Sequence, residues 1–103
     1  MLDIITPKEA HEVAVSHGFY DGHEPGRNIG EALCLIHSEI SEALDGHRKD
    51  IPKGDHGWIG EELADAVIRI WDLCEYLNID IADEVNKKHE INKSRPYKHG
   101  KKY

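Results

Sequence analysis

Apolar positions recur at the helical period along two long stretches of the chain. From Asn28 to about Lys49, Ile29, Leu33, Ile36, Ile40, Ala43 and Leu44 fall on one side of a helix. From about Trp58 to Leu77, Ile59, Leu63, Val67, Ile70, Cys74 and Leu77 form a second stripe. The polar punctuation agrees. Thr6-Pro7-Lys8-Glu9 combines an N-cap, a proline at the first helical position and a capping-box glutamate, so a first helix of roughly a dozen residues is expected to end near Gly18. Asn28 and Glu31 repeat the cap spacing ahead of the second helix. Asp80 caps a fourth helix that begins at Ile81 and stops before Pro96. The stretches GFYDGHEPGR at 18–27 and DIPKGDHG at 50–57 read as loops. No segment alternates at period two. The expected fold is all-α, one domain over 1–103, with two long central helices as its core and a basic tail at about 95–103.

Composition sharpens this picture in two ways. With 39% apolar and 32% charged residues, the helices should be amphipathic with solvated outer faces. A chain of 103 residues supports only a modest core, so assembly into an oligomer would help bury apolar surface. No apolar run is long enough to cross a bilayer, and the start MLDIITPKEA lacks the basic and long apolar segments of a signal peptide. A cytoplasmic protein without a membrane partner is expected. Cys34 and Cys74 lie in apolar helical contexts and read as core thiols.

Charge adds an asymmetry. The net charge of −7 argues against nucleic-acid binding. Residues 87–103, however, carry seven Lys or Arg against one Glu, a net of +6, while the residues before them carry six basic and nineteen acidic groups, a net of −13. Such a tail is a solvated end, a weak contact to nucleic acid, or a phosphate clamp facing a metal site.

The acidic body contains two pairs at helical spacing. Glu39 and Glu42 lie on the second helix, within SEISE at 38–42, and Glu62 and Asp65 on the third, within EELAD at 61–65. Residues three apart share a helix side, and both pairs border the apolar stripes. If the helices pack antiparallel, the pairs meet. Four converging carboxylates repel one another unless a cation joins them, and oxygen ligands suit magnesium, which also takes phosphate oxygens. Solvated faces and salt bridges are the alternative reading of the same pattern. A di-iron centre is disfavoured, because none of the eight histidines follows a glutamate by three residues.

These residues resemble the MazG-like all-α nucleoside triphosphate pyrophosphohydrolases. The mark of that family is EExxE on one helix and ExxD on the next, and the resemblance runs from NIGEALCLIHSEISEAL through EELADAVIRIWDL to KKHEINKSRPYKHGKK. It is nearest to the compact single-domain type, similar to integron-type and dCTP-cleaving members. Ser38 replaces the first glutamate of EExxE, whereas the positions that usually ligate metal are present as Glu39, Glu42, Glu62 and Asp65. The resemblance implies a four-helix MazG-like bundle with antiparallel central helices. It also implies magnesium, with manganese as a substitute, and a homodimer or dimer of dimers. Lys88, Asn92 and Arg95 match residues that related enzymes set against the substrate phosphates, with Tyr97 close behind.

The implied reaction converts a nucleoside triphosphate to its monophosphate and pyrophosphate, as in house-cleaning of nucleotide pools. Trp58, four residues before Glu62, is a candidate to stack on the base, and Asn28 to touch sugar or phosphate. His37 and His47 are further candidates for the pocket. Phosphoribosyl-ATP is the alternative substrate within the same fold. A non-catalytic nucleotide-binding module and a helical interaction protein are the alternatives outside enzymology.

Overall fold

In a computed structural model, described over residues 4–23 and 26–103, the chain forms four α-helices and no strand among the described residues. They are α1 (Pro7–Ser16), α2 (Ile29–Arg48), α3 (Ile59–Tyr76) and α4 (Ile81–Ser94), followed by a 3₁₀ turn at Tyr97–Gly100. The expected loop over 18–27 and the reading of the chain start extend over residues 24–25 and 1–3, which lie outside the described residues.

The caps behave as their chemistry requires. The Thr6 hydroxyl accepts from the Glu9 amide at 3.2 Å, and the Glu9 carboxylate accepts from the Thr6 amide at 3.3 Å, closing the capping box. Asn28 accepts from Glu31 and Asp80 from Asp83, each at 3.0 Å. Only α3 starts without a side-chain cap. There Trp58 occupies the cap position and lays its ring over Gly60.

Helices α2 and α3 run antiparallel, as the register of their contacts shows. Glu39 meets Arg69, Glu42 meets Glu62, and Gly46 meets Gly57, so the partner number falls as the α2 number rises. At the Gly46 end the backbones come so close that a Cβ would collide with the Gly57 carbonyl. Helix α1 packs on α3, and its return loop is tied down by a polar cluster. Asp72 accepts from His11 Nδ1 at 2.8 Å and from the Tyr20 hydroxyl at 2.9 Å, while the Tyr76 hydroxyl accepts from the Arg27 amide at 2.7 Å.

The core differs from the sequence expectation. It is built on Ala10, Ala32, Ala43 and Ala66 with Leu73 and Cys74. Most long aliphatics of the expected stripes point outward: Leu33 and Ile40 are 49% exposed, Leu44 57% and Leu63 44%, while Ile29, Ile36 and Ile70 are half-buried. The reason is steric. Small residues let α2 and α3 approach closely, and Glu39 and Glu62 occupy the inward positions that the aliphatics were expected to fill. Cys34, expected in the core, is likewise exposed, whereas Cys74 is buried.

Helix α4 departs from the other three. Apart from Ile81, every residue in it is exposed. The radius of gyration is 16.2 Å, against about 13 Å for a compact chain of this length. The bundle within one chain is therefore three helices with a fourth projecting from it.

Candidate metal centre and adjoining cleft

The antiparallel register decides which carboxylates meet. Ligand oxygens of Glu39, Glu42 and Glu62 lie within 4.8 Å of one another, two of them from buried side chains. Glu39 is 7% exposed and Glu62 3%. One oxygen of each, Oε2, is buried with no hydrogen-bond partner. Buried carboxylate oxygens without partners are costly, and a cation is the partner that would satisfy both. The donor set is all oxygen, which fits a hard divalent ion such as magnesium.

The electrostatics follow from this crowding. Burial, foremost, and hydrogen bonding with Glu42 push the Glu62 carboxyl up to about 7. Burial, then the neighbouring Glu39 charge, also raises Asp65 above its ordinary value. Asp65 stands one turn along α3 from Glu62, on the cleft side of the cluster and outside the trio of closest ligand atoms. The Arg69 Nε donates to Glu39 Oε1 at 2.8 Å and relieves part of the repulsion. Ser38 turns its hydroxyl back to the Leu35 carbonyl at 2.6 Å, so it adds nothing to the cluster. At the start of α3, His56 Nδ1 and Glu61 are 2.8 Å apart and adjoin Glu62. That hydrogen bond raises the imidazole pKa.

A cleft of about 380 Å³ opens beside the cluster, between α1 and the α2–α3 pair. Ile5, Val13 and Phe19 form an apolar wall, and Glu39, Asp65, Arg69 and Asp72 a polar one. Arg27 also lines it, its side chain only 8% exposed and its NH1 donating to the Phe19 carbonyl at 2.9 Å. The cleft volume falls within the range of small-molecule clefts.

The other residues singled out from sequence lie elsewhere. Lys88, Asn92 and Arg95 share a basic depression on α4 and the tail with Lys98, His99 and Lys101. No hydrogen bond or ion pair joins them to the carboxylates among the described residues. Tyr97 is 89% exposed. Trp58 packs on Gly60 with Lys53 5.9 Å above its ring, outside the cleft lining. Asn28 spends its side chain on the α2 cap, and His37 and His47 are exposed.

Arg69 and Asp72 were missed by sequence reasoning. Their signal is the continuation of the charged spacing: Glu62, Asp65, Arg69 and Asp72 follow intervals of three, four and three, which keep one face of a helix. No family model matches the chain, and neither does any curated protein or solved structure.

Proposed function

We propose that this protein is a magnesium-dependent nucleoside triphosphate pyrophosphohydrolase of the MazG-like kind, working as a homo-oligomer. The observation that carries the reading is the pair of buried, unpartnered oxygens on Glu39 and Glu62 inside a cluster of carboxylates. Glu39, Glu42 and Glu62, with Asp65 beside them, would hold the ion. A bound magnesium ion offsets the charge of carboxylates and phosphates and polarises the phosphoryl group for attack by water. In the reaction, water adds to the α-phosphorus, the bond to the bridging α–β oxygen breaks, and pyrophosphate leaves. The cleft offers an apolar wall to exclude water and the guanidinium groups of Arg27 and Arg69 to receive an anionic substrate. No serine or cysteine nucleophile is called for.

Two features support assembly. Outward aliphatics on α2 and α3 form an apolar face that a lone chain leaves in water. The basic residues of α4 project from the bundle and would reach a carboxylate cluster on another copy.

The test is incubation with a panel of common and damaged nucleotides plus magnesium, with assay of monophosphate and pyrophosphate. Release of both products from at least one nucleotide is expected, and an unchanged panel overturns the reading. Glu39→Gln and Asp65→Asn should each lower turnover by more than about a hundredfold, the upper cost of losing only an outer-shell partner, with helical circular dichroism preserved.

A further inference from the structure

Glu62 belongs to two groups of metal-ligating atoms. One is the cluster with Glu39 and Glu42 across the α2–α3 contact. The other lies at the start of α3, where the ligand atoms of His56, Glu61 and Glu62 are within 4.8 Å of one another. This second group differs from the first in kind, because it includes an imidazole nitrogen.

The loop after α2 brings the three side chains together. The Trp58 amide donates to the Asp55 carbonyl at 3.1 Å, closing a turn around His56. Gly57, at φ +91, takes the left-handed step that leads the chain into α3. His56 Nδ1 then lies 2.8 Å from Glu61 Oε1. An ion pair accounts for those two residues but not for Glu62. Exposed pairs of that sort contribute little to stability. This one also leaves the buried Glu62 Oε2 without a partner among the described residues, on a side chain only 3% exposed. A buried carboxylate oxygen in that state calls for a cation. Glu62 has two oxygens, so it can serve one ion on the α2 side and another on the loop side.

We infer that His56, Glu61 and Glu62 form a second cation site, one that takes a borderline divalent metal such as zinc in place of magnesium. Three side chains offering one nitrogen and carboxylate oxygens match a four-coordinate zinc with a position left for water. Magnesium favours oxygen ligands throughout, whereas zinc is at home with imidazole. Entry is open, since the side chains of His56 and Glu61 are 94% and 40% exposed. A carboxylate only accepts, so the proton between His56 and Glu61 sits on Nδ1. The ion displaces that proton to solvent and fastens the 50–57 loop to α3. None of this chemistry involves a nucleotide, so the site stands apart from the hydrolase reading.

Calorimetric titration of zinc into metal-stripped protein tests the assignment, in buffer with excess magnesium to compete for the oxygen-only cluster. One zinc per chain is expected to bind. His56→Ala and Glu61→Gln should each weaken it by more than about tenfold, the lower cost of losing merely an outer-shell partner of a metal. Neither change removes a buried contact, so both variants should fold. His89→Ala, on the exposed face of α4, should bind zinc as the wild type does. No zinc binding by the wild type overturns the inference, and so does equal affinity in wild type and His56→Ala. A loss in His89→Ala as large as that in His56→Ala also overturns it, because indiscriminate binding to histidines would act that way.

Imidazole NMR supplies a reading that does not depend on affinity. Zinc should shift the ring signals that His56→Ala removes and leave the remaining histidines in place. Shifts confined to other histidines overturn the site. Zinc bound at His56 in a protein that turns over no nucleotide supports this site and defeats the hydrolase reading.

Discussion

At the scale of single residues, Glu62 links folding to pH and, under the proposed function, to metal. Its folded-state value of about 7 lies above the ordinary 4.5, so the folded chain holds a proton that the unfolded chain has released between those values. The stability this contributes is complete below about 4.5 and is lost as pH rises through about 7. Metal-free protein should therefore melt at progressively lower temperature as pH rises across that window, as far as Glu62 controls it. Under the proposed function, added magnesium displaces the same proton, so its stabilising effect should grow over the same range. Glu62→Gln removes both dependences. Thermal melts at pH 5, 7 and 8, in chelator and in magnesium, should show the variant more stable than wild type in chelator at pH 8. They should also show it insensitive to magnesium. A variant that still gains stability from magnesium would place the ion elsewhere.

At the scale of elements, the α2–α3 contact depends on absence of side chains as much as on their presence. Gly46 lies inside α2, where alanine would improve intrinsic helix propensity by about 1 kcal/mol. Its Cβ would strike the Gly57 carbonyl, and forced overpacking costs typically about 1–3 kcal/mol. The collision should win. Gly46→Ala is expected to lower the melting temperature by several degrees, and an unchanged or raised value would show that the helices do not approach as described. The same close contact explains why the aliphatic stripes were misassigned. Periodicity finds the apolar side of each helix, but helices pack on the side where the residues are small enough, and here that side also carries Glu39 and Glu62.

At the scale of the whole molecule, the projecting α4 and the outward aliphatic face raise the same question of what covers them. If a second copy does, sedimentation should give at least twice the 11.7 kDa chain mass, and Ile40→Glu should shift the protein towards single chains. The basic residues of α4 supply an independent check. Glu39→Gln and Arg95→Ala are each expected to be nearly inactive, while mixing the two should restore part of the activity by pairing an intact carboxylate cluster with an intact tail. Mixtures as inactive as their components would confine each site to one chain.

The sequence by itself determined the helices, their caps and the spacing that sets Glu39 with Glu42 and Glu62 with Asp65. These depend on interactions over three or four residues, which local pattern records directly. Its resemblance to a MazG-like hydrolase also supplied the expectation of chemistry. What the tertiary structure alone decided was which faces turned inward. Only packing buries two carboxylate oxygens without partners, moves most long aliphatics outward and opens the cleft lined by Arg69 and Asp72. Those outcomes depend on the distance between helix backbones, and that distance is set jointly by Gly46, Gly57 and the core alanines.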